Sequence, residues 1–289
     1  MSSIEYNGFT FDNTTATIEE LTGITMPDIR SEEEVMAEQD TALPTSYRYG
    51  GRTFGWAGTL FDDTAADYQI IRDAMIGALN MQNQPLEGLT MTFTLVTGEV
   101  RTLREVRPIG EPDVDFKAGE PGIIWNTYKL AFRSTFGWFE GSETDATQQI
   151  TDSGGYGVVI PAPVASPLSP STTVSAGTDP LTVTNAGNAN AYPIFTISGP
   201  GTNFTITNST TGHVLTINES LSTGDTITID TRAHTIVKNG SENILAEKED
   251  GTAWIYIQPG NNTLTFTADS GTSSDTQVRT VFNNTYCNL

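Results

Sequence analysis

Any acid–base or metal chemistry in this chain would have to start from its two histidines, His213 and His234, or from its carboxylates. Neither histidine has a cysteine, a second histidine or a paired acid at metal-ligand spacing beside it. The segment Asp230-Thr231-Arg232-Ala233-His234 brings an acid close to an imidazole, but Asp at a strand end is a common turn former, and the turn is the reading favoured here. Close carboxylates at Asp62 and Asp63, or at Asp113 and Asp115, would suit paired-acid hydrolysis only if they flanked a cleft. With 35 acidic residues among 289, such pairs arise from composition alone. There is no Gly-x-Ser-x-Gly elbow, no P-loop and no dinucleotide fingerprint. The single cysteine, Cys287, reads as a small apolar residue near the terminus rather than a nucleophile. The expectation is a protein without catalytic residues, metal or cofactor, and not an enzyme.

Composition narrows the class further. The net charge of −21 is spread along the chain, with 24 acidic against 10 basic residues in 1–150 and 11 against 4 in 151–289. That distribution argues against a detachable acidic tail and against reading of nucleic acid, which needs Lys and Arg to neutralise phosphates. One cysteine cannot make an intrachain disulfide, so the fold must rest on packing and is compatible with a reducing cytoplasm. The first residues, Met1-Ser2-Ser3-Ile4-Glu5, lack the basic and apolar regions of a signal peptide, and no apolar run approaches the roughly 20 residues of a membrane span. Asn-x-Ser/Thr triplets such as Asn203-Phe204-Thr205 and Asn208-Ser209-Thr210 are therefore read as chance.

The clearest local structure lies between Leu181 and Leu289. Period-two alternation in Thr263-Leu264-Thr265-Phe266-Thr267 sends Leu264 and Phe266 to one face and the threonines to the other. Phe204–Thr207, His213–Ile217, Thr226–Ile229, Ala253–Ile257 and Gln277–Phe282 repeat the pattern. Such runs, spaced by roughly ten residues with Gly, Asn or Asp between them, predict an antiparallel β-sandwich or barrel. Asn239-Gly240 is a two-residue hairpin turn, because both positions tolerate positive φ.

The first half is also β-rich. Ile4 to Phe11 alternates as a strand, and in the acidic stretch from Asp28 to Asp40 Ser31-Glu32-Glu33-Glu34 could cap a helical turn or lie in a loop, the loop being the reading favoured here. Ser46 to Leu60 reads as a strand pair or one bent strand, with Gly50-Gly51 at the bend and Phe54, Trp56, Gly58 and Leu60 on one face. Thr64 is a good N-cap, Asp67 completes a capping-box pattern, and Tyr68, Ile71, Met75 and Leu79 follow at helical spacing up to Asn80. Ile70 falls off that stripe and is a candidate for contact with another chain. Thr90–Val96 and Val100–Val106 form a hairpin about Thr97-Gly98-Glu99, and Trp125–Arg133 closes the domain with Tyr128, Leu130 and Phe132 on one face. The predicted fold is mainly β: an N-terminal sandwich or split barrel with one packed helix over 1–140, a Pro/Gly/Ser-rich connector over 141–180, and a C-terminal sandwich over 181–289. In the connector, Gly154-Gly155-Tyr156-Gly157 and Ile160-Pro161-Ala162-Pro163 disfavour regular structure, while Val158, Val159 and Ile160 are apolar enough to pack.

The whole chain resembles the distal tail proteins, or minor tail proteins, of long-tailed, non-contractile bacteriophages. In the first half the likeness rests on Tyr49-Gly50-Gly51-Arg52-Thr53, the strand ending at Gly58, the helix from Tyr68 to Leu79, and Tyr128-Lys129-Leu130-Ala131-Phe132. In the second half it rests on an ordered set: Asn185-Ala186-Gly187-Asn188-Ala189, Pro193–Gly199, Ile206–Gly212, Gly224–Thr231 and Pro259-Gly260-Asn261-Asn262-Thr263-Leu264. The resemblance implies a structural virion protein of the tail tip, made in the host cytoplasm. It implies a homo-hexameric ring built from the N-terminal domain, with a galectin-like C-terminal domain outside it. The ring would contact the tail tube on one side and the tail-associated hub protein on the other, and would leave a channel for DNA passing without specific binding. Acids lining such a channel would repel DNA only near the wall, since screening acts over about 8 Å. Glu32, Glu33, Glu34, Asp62 and Asp63 are the candidates for that lining, with solvated outer loops as the simpler reading.

Two other readings start from the same residues. A carbohydrate-binding adhesion module at the tail tip would use Trp254, Tyr256 or Trp138 to stack on a sugar, although aromatic residues in a core are the commoner case. A carbohydrate-active enzyme would need two carboxylates across a cleft. No long insert interrupts the C-terminal domain, so the resemblance does not bring with it the separate carbohydrate-binding module that some relatives carry.

Overall fold

A computed structural model describes residues 1–27, 29–35, 42–86, 88–114, 124–152, 174–175 and 180–289. The chain forms two compact units, one of Met1–Gly141 with Tyr286–Leu289 and the other of Ser142–Thr285. Most of the expected connector, including the Gly154-Gly155-Tyr156-Gly157 and Ile160-Pro161-Ala162-Pro163 runs, lies outside the described residues.

The first unit begins with β1 (Ser3–Tyr6) and β2 (Phe9–Phe11), where the alternation had suggested a single strand. The turn between them is Asn7-Gly8, both at positive φ (50° and 80°), so this is the same hairpin chemistry as Asn239-Gly240. Then come β3 (Glu20–Thr22), β4 (Ile29–Val35) and β5 (Ala42–Tyr49). Residues 29–35 of the acidic stretch expected as a loop are thus strand. Glu32, Glu33 and Glu34 lie on β4, opposite Ser46, Pro44 and Leu43 of β5, with a bulge between Glu32 and Glu33. Ladder hydrogen bonds to β5 win over the low strand propensity of three consecutive glutamates. Residues 36–41, the remainder of that stretch, are outside the described residues.

After the Gly50-Gly51 break, β6 (Arg52–Asp62) leads into α1 (Ala65–Leu79), followed by β7 (Leu89–Thr94), β8 (Val100–Pro108), β9 (Asp113–Val114), β10 (Ile124–Ser134) and β11 (Phe139–Gln149). Pairing runs β2-β1-β7-β8-β10-β6-β3. Yet Phe11 on β2 lies edge-on to Trp56 on β6, ring centroids 5.0 Å apart, although four strands separate them in the sheet. The sheet therefore curls round its own aromatic core of Tyr6, Phe11, Phe54, Trp56, Phe93, Tyr128, Phe132 and Phe139. Trp56 and Phe132 stack at 4.9 Å within that core. Helix α1 packs on both β6 and β2. This agrees with the β-rich sandwich or split barrel with one packed helix that the patterning predicts.

The second unit is a sandwich. It contains β12 (Thr151–Asp152), β13 (Val174–Ser175), β14 (Leu181–Asn185), β15 (Ile194–Ser198), β16 (Gly201–Asn208), β17 (His213–Leu221), β18 (Thr226–Asp230), β19 (Thr235–Lys238), β20 (Glu242–Asn243), β21 (Gly260–Ser270) and β22 (Gln277–Tyr286, the last residue counting with the first unit). One layer orders β22-β15-β18-β19-β20; the other is β12-β21-β16-β17, with β14 also on β21. Inward residues of both layers form one core, and Phe195 meets Phe266 edge-on across it at 6.0 Å. Leu264 and Phe266, Phe204 and Ile206, and Ile227 and Ile229 all point inward, as their alternation requires. Ala253–Ile257 differs from expectation. It alternates, with Ile255 and Ile257 fully buried, but makes no ladder beyond an isolated bridge from Ile257 to Ala191.

Candidate assembly and recognition surfaces

On the first unit the outer face of α1 is the feature most open to a partner. Thr64 caps the helix: its Oγ1 accepts from the Asp67 backbone N–H at 3.1 Å and donates to the Asp67 carboxylate at 2.6 Å. Tyr68, Met75, Ala78 and Leu79 turn inward. Asn126 Nδ2 donates to the Tyr68 hydroxyl at 2.6 Å, tying the helix to β10. At the other end Asn7 Nδ2 and Gln84 Nε2 both donate to the Ala78 carbonyl, at 3.0 and 2.9 Å. These bonds fix which way the helix faces, and they leave Ile70 66% exposed. Ile76 and Met81 are also exposed, and Leu86 is 92% exposed, so the helix and the segment after it present apolar surface.

The candidate channel acids are placed separately. Asp62 ends β6, opposite Ile124, and its Oδ1 accepts from the Asp63 backbone N–H at 2.6 Å; Asp63 is exposed. Glu32–Glu34 lie in the β4–β5 hairpin, which pairs only with itself among the described residues. The geometry joins neither group to Ile70.

Arg52, part of the Tyr49–Thr53 motif, has a role that residue spacing did not reveal. Although it is only 1% exposed, its guanidinium donates from Nε to Gly137 O at 2.9 Å, from Nη1 to Gly23 O at 3.0 Å and from Nη2 to Cys287 O at 2.6 Å. The planar fork suits three carbonyls at once. Arg101 lies over the Tyr286 ring at 3.8 Å and donates to Asn288 O at 2.7 Å. The C-terminal residues are thereby built into the first unit.

In the second unit the Asn185–Ala189 motif is held by one buried amide. Asn185 Nδ2 donates to Ala189 O at 2.8 Å and Ile257 O at 3.2 Å, while its Oδ1 accepts from the backbone N–H of Gly187 and of Thr285. Both donors and the acceptor are used, which is what a fully buried Asn needs. Gly187 passes so close to Thr285 that a Cβ there would lie 1.9 Å from its carbonyl oxygen.

Among the described residues no ion pair joins either histidine to an acid. Asp230 Oδ1 accepts from the backbone N–H of Arg232 and Ala233, so it is the turn former expected of it. His234 instead lies flat on Trp254, centroids 4.7 Å apart and planes 9° apart. His213 sits edge-on to Tyr256 at 4.9 Å, with Nδ1 2.9 Å from Trp254 O. Among the described residues no group of three or more His, Cys, Asp or Glu is placed to hold a metal ion. No helix among them is long and apolar enough to cross a membrane.

Residues 186–286 match the family model described as siphovirus-type tail component, C-terminal domain. In fold, the chain is similar to the crystal structure of the Dit protein (gp 19.1) of phage SPP1, at 15% identity, over 98% of both chains, with a TM-score of 0.65. Structures of the phage P2 baseplate in its activated conformation, with calcium and with strontium, align over 96% of both chains at 11% identity and TM-scores of 0.38 and 0.42. No curated protein matches the sequence. The resemblance to siphophage distal tail proteins holds, and so does the mainly β architecture read from the patterning.

Proposed function

Starting from a chain that carries the siphovirus-type tail-component domain in residues 186–286, we propose that this protein is a structural component of a phage tail tip. In this reading it forms a ring, with six copies joined through the first unit. The ring connects the tail tube to the tail-tip hub or adsorption apparatus and leaves a channel through which DNA passes without specific binding. The observation that carries the proposal is the family domain together with a fold shared with SPP1 Dit over 98% of both chains. That protein is described as a paradigm of the hub adsorption apparatus in phages infecting Gram-positive bacteria. The exposed Ile70 and Ile76 on α1 support self-association through the first unit, because exposed apolar side chains gain free energy on burial. A net charge of −21 per copy supports a wall to which DNA does not adhere, with Glu32, Glu33, Glu34, Asp62 and Asp63 as proposed lining residues.

The test is the mass of the purified protein in solution, measured alone and mixed with its tube or hub partner, together with electron micrographs. Rings of six copies are the expected result. Monomers alone are compatible with the proposal if rings close on addition of a partner, whereas a chain that stays monomeric with both partners overturns it.

A further inference from the structure

Arg133 on β10 lies directly opposite Arg107 on β8. Like charges facing one another across a ladder cost stability, and among the described residues no hydrogen bond or ion pair engages either guanidinium. In a chain of 35 acidic and 14 basic residues, two adjacent arginines without a carboxylate are not what composition alone would produce. Their neighbours Val106, Pro108, Phe132 and Ser134 are buried, so alternation turns Arg107 and Arg133 to the outer face of the sheet. The exposed Ala131 follows on that face, opposite Gly55, and then Lys129, which has Asp113 of β9 opposite it. The result is a shallow patch of small residues with basic side chains at both ends.

Helix α1 carries the converse pattern. Viewed down its axis, Ala66, Ala74 and Gly77 lie within about 40° of Ile70, while Asp67 and Asp73 lie about 60° to either side of it. All of these residues are exposed, although Asp67 also accepts from the Thr64 hydroxyl and Asp73 from the Arg72 guanidinium. Glycine weakens a helix relative to alanine, yet a Cβ at Gly77 would meet nothing within 4 Å and its φ is not positive, so nothing in its own chain requires a glycine there. A missing side chain lets a second backbone come close. Asp67 and Asp73 stand about 9 Å apart along the helix, and Lys129 and Arg133 about 13 Å apart along their strand, a difference that long basic side chains span.

These two patches cannot meet within one copy. Tyr68 and Met75 of α1 share a core with Val106 and Phe132, so the helix lies on the inner side of the sheet and the arginines on the outer. We propose that α1 of one copy docks on the Arg107–Arg133 face of a second copy, with Ile70 against Ala131 and with Asp67 and Asp73 facing the basic side chains. Small residues on both sides let helix and sheet approach, and the matched charges set the register while removing the cost of the unpaired arginines. Two different patches joined head to tail make a heterologous contact, the kind that closes into a ring. The inference rests on the ring-forming reading and names the two surfaces that such a ring would join.

The experiment uses the full chain and measures mass in solution, alone and with the tube or hub partner. One variant carries Arg107→Glu with Arg133→Glu, the other Asp67→Lys with Asp73→Lys. The helix cap survives in the second, since Thr64 Oγ1 still accepts from the backbone N–H of residue 67. Each variant by itself should assemble about tenfold or more weakly than the parent. An equal mixture of the two should recover rings, because copies that alternate bring opposite charges together at every contact. Rings that form in either variant as readily as in the parent overturn the pairing and leave ring formation standing. Loss in both variants without recovery on mixing also overturns the pairing. A parent that stays monomeric with both partners overturns the ring reading itself, and the pairing with it.

Discussion

Arg52 donates to the carbonyl of Cys287, 235 positions along the chain, over 2.6 Å. The bond belongs to a buried fork that also holds Gly23 and Gly137, with the guanidinium 4.6 Å from the centroid of the Phe139 ring. Arg52→Met keeps much of the side-chain volume but leaves these carbonyls, that of the buried Gly137 among them, without this donor. We expect a loss of roughly 3 kcal/mol or more in urea unfolding. Arg52→Lys should recover little of it, since one ammonium cannot reproduce the planar fork. Unchanged stability in Arg52→Met would show that the C-terminal residues do not depend on this clamp.

Gly187→Ala tests the Asn185–Ala189 motif. A Cβ 1.9 Å from the Thr285 carbonyl oxygen cannot be relieved by a rotamer change, because the obstructing atom is backbone. The substitution should cost at least about 2 kcal/mol by chemical denaturation. Gly98→Ala is a useful contrast, because a Cβ there meets nothing within 4 Å and any cost must come from its φ of +85°.

Alkaline pH should weaken the fold through Tyr6. Its hydroxyl donates to Gln84 Oε1 at 2.7 Å, and burial pushes its pKa up from 10.0 to about 12. The unfolded chain releases this proton first, so the contribution is fully present below pH 10 and is lost as pH rises from 10 towards 12. Unfolding free energy measured across that window should fall less steeply in Tyr6→Phe than in the parent. At neutral pH that variant should be about 1 kcal/mol less stable for want of the hydrogen bond.

Thr64→Ala removes the side chain that caps α1, and should cost about 1 kcal/mol. Hydrogen exchange localises the effect: the first-turn amides, Asp67 foremost, should lose protection while those of β10 keep theirs.

Ile70→Glu separates assembly from folding. The residue is 66% exposed on a helix that Glu suits, so thermal stability of the isolated chain should change by no more than about 0.5 kcal/mol. Ring formation, followed by mass in solution, should weaken by about tenfold or more if Ile70 is buried between copies. Rings that form as readily as before would remove Ile70 from the interface.

Much of the fold is legible because the signals are local. The capping pair Thr64 and Asp67, the inward rows Phe54–Leu60 and Tyr128–Phe132, and the Thr-rich alternation of the second unit need only a helical or two-residue period to be read. Local signals also explain the misses. Asn7-Gly8 carries the same turn chemistry as Asn239-Gly240 but sits inside an alternating run, where it passed as part of one strand. The glutamates of β4 look like a loop because strand propensity is weak against the pairing a partner strand supplies. Ala253–Ile257 has a strand's alternation without its ladder, since alternation reports burial and says nothing about which backbone lies alongside.

The sequence by itself determined a mainly β chain, the long helix α1, the faces its alternating runs bury, and the likeness of its last third to siphovirus-type tail components. Only the tertiary structure decided that Arg52 closes on Cys287, that Asn185 knits its motif to Ile257 and Thr285, and that His234 and His213 lie against Trp254 and Tyr256. The physical reason is range. Periodicity and capping are settled among residues a few positions apart, whereas these contacts depend on how strands distant in the chain pair and curl, which no local pattern encodes.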